Sequence, residues 1–352
     1  MSKKKSTAID LFSGCGGLTL GLKQAGFRVL GAVEMDPLAV ETYKKNHRGV
    51  YVWPTDIRKL AASRVLEALR LSASDLDLLA GCPPCQGFSR ITTLNGKYRQ
   101  VDDRNNLVFE FLRFVRVLRP KAVLLENVPG LAKNRRFRKL CSALRRLGYT
   151  LNIGVLDAAD YGVPQRRRRL VLVGTIYGAP ILAEQSANRV SVREAFRKLR
   201  LRPLRDPLHK TRENRTERIR ALIRRIPKNG GSRLDLGVRH QLDCHRTSDG
   251  FKDVYGRMAW GDVAPTITGG CCNPSKGRFT HPSKARCITL REAALLQSFP
   301  ASYQFSLRRG KFAVAQMIGN ALPPEFVRRH AVALRAAILR GIAQENDDRH
   351  RR

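Results

Sequence analysis

The sequence predicts an α/β protein built on a doubly wound, mostly parallel sheet, joined to a smaller domain of irregular structure. Three observations carry that expectation. Strand-like and helix-like segments alternate over roughly the first 175 residues, the pattern of stacked βαβ units. Glycine turns, acids and a cysteine loop fall just past the ends of the predicted strands, where open α/β sheets hold their ligands. The alternation then stops near residue 177, and turn residues become frequent up to about residue 311.

Taken in order, residues 7–12 (TAIDLF) form a short apolar strand that runs into SGCGG at 13–17, with an amphipathic helix over 18–25. Residues 28–33 (RVLGAV) are the second strand and reach Glu34. Asp36 followed by Pro37 starts a helix over 36–46, because the carboxylate can accept from the free first-turn amides and proline's fixed φ suits the first position. Residues 50–53 make the third strand, just before Asp56, and 76–80 (LDLLA) the fourth, ending in GCPPC at 81–85. The amphipathic helix at 107–118 closes at Arg119-Pro120. Residues 122–125 (AVLL) are the fifth strand, ending at Glu126-Asn127. A basic helix at 136–147 stops at Gly148, and strands at 151–156 and 169–175 complete the sheet. Beyond it, 193–225 is densely basic with room for two helices, 229–232 (NGGS) is a turn, 291–297 is a short helix, and 324–339 resumes the amphipathic character of the first half. The predicted division is 1–176, 177–311, a segment 312–345 returning to the first domain, and a disordered tail at 346–352.

Charge narrows the partners. The 352 residues hold 66 Lys+Arg against 29 Asp+Glu, a net charge of +37, which points to a polyanion, most simply nucleic acid. No apolar run approaches the ~20 residues of a membrane span, and the start MSKKKSTAIDLF has no apolar core of a secretory signal. The expected location is the cytoplasm, with the eight cysteines reduced. No metal is expected: His240, Cys244, His245, Cys271, Cys272 and His281 are irregularly spaced, and no paired CxxC…CxxC occurs.

Four constellations carry chemistry. The turn after the first strand, Asp10 to Gly17, lets a ligand approach backbone near a helix N-terminus. It is not a GxGxxG fingerprint, because Thr19 takes the third glycine's place, and no Gly-Lys-Ser/Thr makes it a phosphate loop. With Glu34 able to accept from ribose hydroxyls and Asp56 from an adenine amino group, the set suits an adenosine ligand without a phosphate cradle. GCPPCQGFS at 81–89 admits two readings: Cys82 and Cys85 as a redox or zinc pair, or one nucleophile on a proline-stiffened loop. Glu126 is either a surface helix cap or a buried carboxyl kept protonated to donate a hydrogen bond. In QRRRR at 165–169, strand alternation would put Arg167 and Arg169 on one face and Arg166 and Arg168 on the other.

These blocks, in this order, resemble the cytosine-C5 DNA methyltransferases. Asp10–Gly17, GCPPCQGFS, ENV at 126–128 and QRRRR are joined by RCITLREAALLQSFP at 286–300 and QMIGNALP at 316–323, so the resemblance covers about residues 7–340. It implies the Rossmann-like fold of class I S-adenosylmethionine-dependent methyltransferases, with a variable target-recognition region at about 178–260. It also implies S-adenosylmethionine as methyl donor, no metal, and double-stranded DNA as partner. Cys85 corresponds to the nucleophile, Glu126 to the residue holding cytosine N3, and Arg167 and Arg169 to arginines lining a flipped base. Phe12 would stack on adenine, Glu34 bind the ribose and Asp56 the adenine edge. Ser13, Gly14 and Gly17 would form the cofactor loop, with Pro84, Leu107 and Asn320 completing the pocket. Gln86 and Ser89 beside the nucleophile, and Arg239, Arg246, Lys252 and Arg257 in the variable region, are the expected DNA contacts. The resemblance further implies a monomer acting alone or beside a restriction endonuclease that reads the same site without a stable complex. The rival classes are an inactive DNA-binding relative, a redox protein on Cys82/Cys85, and the family branch that methylates RNA, whose Cys-Phe-Thr tripeptide is absent.

Overall fold

The computed structural model describes residues 5–84, 106–210, 214–237, 239, 242 and 252–351. These divide into two compact units. The first is built from residues up to Asp157, from 168–185, and from Pro324 onward; the second from 158–167 and 186–323.

The first unit holds a seven-stranded sheet in the order β3-β2-β1-β4-β5-β7-β6. The strands are β1 (Thr7–Leu11), β2 (Arg28–Val33), β3 (Tyr51–Trp53), β4 (Leu78–Gly81), β5 (Ala122–Asn127), β6 (Thr150–Asp157) and β7 (Arg168–Thr175). β3, β2, β1, β4 and β5 run parallel, while β7 is antiparallel to both of its neighbours. The central strands are covered on both faces, so β4 and β5 are buried at every residue and read as continuous apolar runs. The mostly parallel, doubly wound sheet is the one expected from the alternation of elements.

Helices α1 (Gly17–Gln24), α2 (Pro37–Asn46), α3 (Ala62–Leu69), α4 (Leu107–Leu118), α5 (Arg135–Arg146) and the long α10 (Pro324–Arg351) belong to this unit. Asp36 caps α2 by accepting from the Leu38 and Ala39 amides, with Pro37 at its first position. On α4, Leu107, Val108, Phe111, Leu112, Phe114, Val115 and Leu118 make the apolar stripe, and Arg119 ends it in the left-handed conformation before Pro120. α3 was not among the expected elements, although Val65 on its inner side is fully buried. α10 runs to Arg351, so residues 346–351 continue a helix where a disordered tail was expected. It packs on α1 so closely that a Cβ at Gly21 would collide with Val327 and the Pro324 carbonyl.

The second unit contains α6 (Val192–Arg197), α7 (Glu217–Arg225), α8 (Leu290–Leu296) and α9 (Gly310–Asn320). Residues 312–323 therefore lie in this unit rather than in a segment returning to the first. Its described residues form isolated β-bridges, such as Arg257 with Thr280, in place of strands. Among the described residues, no helix of the protein is long and apolar enough to cross a membrane.

Candidate active site

The sheet order changes direction of winding between β1 and β4, and that edge is where an open α/β sheet leaves a crevice. Leu11 at the end of β1 pairs with Gly81 at the end of β4, and Gly81 pairs with Leu125 on β5. Three loops therefore leave the sheet side by side. The Cys82 amide donates to the Leu11 carbonyl at 3.3 Å, which ties the cysteine loop to the glycine loop. Gly81 is needed for this approach, since a Cβ there would press on the Leu11 carbonyl and the Phe111 ring at 3.1 Å each.

The glycine loop turns sharply through Phe12, Gly14 and Gly16, at φ 62, 54 and 94°. Phe12 is half-buried against the main core, an uncommon conformation for an aromatic residue. The Ser13 amide donates to the Val33 carbonyl at 3.0 Å, fixing the loop to the end of β2. Gly17 opens α1 and is buried. The Gly14 amide donates to Glu34 Oε2 at 2.8 Å, and the Met35 and Asp36 amides donate to Oε1 at 2.8 and 2.7 Å. Burial raises the Glu34 carboxyl above the usual range, while those three amides pull it back. Asp56 caps a short 3-10 turn and is bound by Arg58, whose guanidinium holds its carboxyl below the usual range.

Asp10, inside β1, is the residue whose role the sequence did not disclose. It is fully buried, accepts from Thr19 Oγ1 at 2.6 Å, and Thr19 in turn meets the Tyr43 hydroxyl at 2.7 Å. Its Oδ1 takes no hydrogen bond among the described residues. Burial pushes the Asp10 carboxyl up to about 8. An acid inside TAIDLF was the available signal, because an isolated carboxyl within a buried strand is costly unless it is used.

On the catalytic side, the Asn127 amide group donates to the Pro83 carbonyl at 2.8 Å and pins the start of the cysteine loop to the end of β5. Pro84 is exposed, and Cys82 is half-buried with its thiol pushed well up by burial first and by Glu126 second. Cys85, Gln86 and Ser89 lie outside the described residues, as does Arg246. Glu126 is 8% exposed and pairs with Arg169, Nε to Oε1 at 2.9 Å. Leu107 is buried in the core at the start of α4.

The two arginines of QRRRR part company. Arg167 precedes β7 and belongs to the second unit, where its guanidinium donates to the Ile267 carbonyl at 3.0 Å and the Gly319 carbonyl at 2.9 Å. Strand alternation does not govern it, because β7 begins only at Arg168. Asn320 ends α9 in the same unit, exposed, accepting from Gln316 Nε2 at 3.0 Å. Arg239 and Lys252 are exposed. Arg257 is a correction to the expected DNA contacts. It is 1% exposed, and four of its five N–H donors go to the carbonyls of Ile223, Ile226, His281 and Lys284, so burial and these bonds commit it to the interior of its unit. Among the described residues, no three His, Cys, Asp or Glu side chains are grouped to hold a metal.

Comparison with known proteins agrees with this geometry. The profile of the family described as "C-5 cytosine-specific DNA methylase" matches residues 6–335. The chain is 36% identical over 330 residues to the type II methylase M.HgiDII of Herpetosiphon aurantiacus, covering 90% of this chain and 91% of that one. It is 32% identical over 337 residues to the type II methyltransferase M1.HphI of Haemophilus parahaemolyticus, covering 93% and 86%. The solved structure of a DNA modification methyltransferase encoded within an E. coli prophage is similar with a TM-score of 0.68 and 25% identity, covering 95% of this chain and 99% of that one.

Proposed function

The chain belongs to the C-5 cytosine-specific DNA methylase family and is a DNA (cytosine-5)-methyltransferase; from that premise we propose that it methylates a flipped-out cytosine through a covalent Cys85 adduct, as a type II modification enzyme. The observation that carries the reading is the Glu126–Arg169 pair, set at the end of β5 beside the anchored loop that leads to Cys85.

S-adenosylmethionine fits the residues at the β1 and β2 ends. A Cβ at Gly14 would meet nothing within 4 Å, so the backbone there faces open space, and the Glu34 carboxylate lies against it. Phe12 would stack on the adenine, Glu34 would take the ribose hydroxyls and Asp56 the adenine amino group, with Ser13, Gly14, Gly17, Pro84 and Leu107 completing the first unit's share of the site. When bound, S-adenosylmethionine supplies an electrophilic methyl group, which cytosine C5 is too weak a nucleophile to take unaided.

The protein's residues remove that obstacle. The Cys85 thiolate adds to C6, which breaks the 5,6 double bond and turns C5 into an enamine carbon. Charge moving onto the N3 and O2 edge is met by Glu126, which shares a proton with N3, and by Arg169, which faces O2. Once C5 carries the methyl group, a base removes the C5 proton, the double bond reforms and the thiolate leaves. C6 is shielded in a stacked duplex, so the base must leave the helix, at a cost of a few kcal/mol offset by pocket contacts. Arg167 holds the backbone of the second unit and is a positioning residue in this scheme.

The test is base-resolution cytosine mapping of DNA from a host with no C5 methylation of its own that expresses the chain. One short motif methylated at a high fraction is expected, lost in Cys85→Ala and kept in Cys82→Ser. A Cys85→Ala protein that still transfers methyl groups ends the covalent mechanism. Soluble protein that binds DNA and methylates none of it would favour the inactive-relative reading.

A further inference from the structure

Helix α5 (Arg135–Arg146) carries six cations in twelve residues and no acid. Its buried side is ordinary: Phe137, Leu140, Cys141, Ala143 and Leu144 pack into the main core. Its outer side is not. Arg135, Arg138, Lys139, Arg145 and Arg146 are all exposed. At 100° per residue these five fall within an arc of about 120°, a single stripe along the helix.

Among the described residues, every other α-helix with two or more exposed cations also holds at least one carboxylate, and single cations on other helices can be paired as well. Glu41 pairs with Lys45 on α2, Glu67 with Arg64 on α3 and Glu110 with Arg113 on α4. Glu217 pairs with Arg220 and Arg224 on α7, and Glu325 with Arg328 and Arg329 on α10. On α5 the like charges stand three and four residues apart, a spacing that repels. Arg135, Arg136 and Arg138 also crowd the end of the helix where the backbone dipole disfavours cations. Both features carry a local cost in stability.

The placement of α5 says what the stripe faces. The helix starts a few residues after Glu126, at the catalytic edge of the sheet, capped by Asn134. It then runs back beside the sheet to the turn at Gly148, and β6 follows. Twelve residues span about 18 Å, the axial length of about five base pairs. The five cations thus form a line from the reaction edge outward, matched in sign and length to a phosphate backbone.

We infer that the outer face of α5 is a docking surface for the phosphates of DNA flanking the target base, separate from the cleft that holds the base. The inference rests on the DNA methyltransferase reading. Its contribution is sequence-independent affinity and orientation, with no base readout.

The experiment uses the full chain with Arg138→Gln, Lys139→Gln and Arg145→Gln together, glutamine being a good helix former, against a control with Arg340→Gln, Arg349→Gln and Arg351→Gln on α10. Affinity for a mixed-sequence duplex of about 40 base pairs is measured across salt concentration. Each lost phosphate contact removes about 0.9 from the slope of log K against log salt, so the α5 variant should lose about 2–3 and the control none. Steady-state methylation should show a higher KM for DNA at an unchanged kcat. A slope that stands, an equal fall in the control, or an effect on single-stranded RNA alone overturns the proposal. Absence of methyl transfer by the parent would overturn the catalytic reading instead, and the slope would still decide the role of α5.

Discussion

The two units solve the same problem by opposite means. In the first, strands and helices satisfy the backbone internally, and side chains are left to pack: Ile9, Leu79, Phe111, Leu125 and Leu172 meet in one apolar core. In the second, long irregular segments leave carbonyls that no ladder satisfies, and buried polar side chains serve them instead. Arg257 takes four carbonyls, Arg167 two, and Gln165 joins the Leu296 carbonyl, Gln297 Oε1 and the Ile267 amide. Arginine suits this because its fork of five donors reaches several acceptors from one fixed plane. Regular structure releases side chains for packing; irregular structure conscripts them.

Buried acids are paired with cations in both units, with one exception among the described residues. In the second unit each has a cation: Asp206 meets Arg291 at 2.6 Å, and Glu292 meets Arg286 at 2.7 Å. Burial alone would raise the Glu292 carboxyl, yet Arg286 beside it holds it below the usual range. In the first unit Asp77 meets Lys121 at 2.6 Å and Glu126 meets Arg169 at 2.9 Å, but Asp10 has no cation beside it, only hydrogen bonds from Thr19, and burial prevails. The largest expected effect follows from that difference. A carboxyl whose folded pKa is about 8, against 3.8 unfolded, contributes stability below pH 4 that is lost as pH rises through 8. Asp10→Asn should therefore match the parent near pH 4 and exceed it at pH 8, by on the order of 5 kcal/mol in denaturant titrations. A gap that does not grow with pH would mean that a cation answers Asp10 after all.

Next in size is Arg291→Met, which strands Asp206 in the core and should cost about 3–5 kcal/mol. Adding Asp206→Leu should recover most of it, because replacing both partners removes the uncompensated charge. If the double variant is as weak as the single one, the pair is tied into the unit by more than charge. Smallest is Arg257→Lys: an ammonium cannot reach four carbonyls from one plane, and about 2 kcal/mol should be lost. Hydrogen exchange should rise around α7, whose last carbonyls Arg257 holds, while the sheet amides stay protected.

The same contrast decides what could be read from the sequence. Sheet elements were legible because periodicity is imposed by burial: the basic helix expected at 136–147 is observed at Arg135–Arg146, and the strand expected at 151–156 is Thr150–Asp157. The glycine loop, Glu34 and Glu126 were legible because they stand at the C-terminal ends of strands, and Arg169 because its motif leads into one. Arg257 was not, because an irregular unit has no period to separate a buried arginine from an exposed one, and a net charge of +37 makes every arginine look like a DNA contact. Arg167 was half legible: its motif was plain, but its membership of the second unit depends on where β7 begins.

The contact of α1 with α10 also has a history in time. About 300 residues separate the end of α1 at Gln24 from Pro324, and they include the whole second unit. At about 5–20 residues per second, synthesis takes about 15–60 s to deliver the helix whose Val327 rests against Gly21. Throughout that interval the nascent sheet carries one uncovered helix face. The second unit can close around its own arginines first, so the part of the chain begun earliest is finished last.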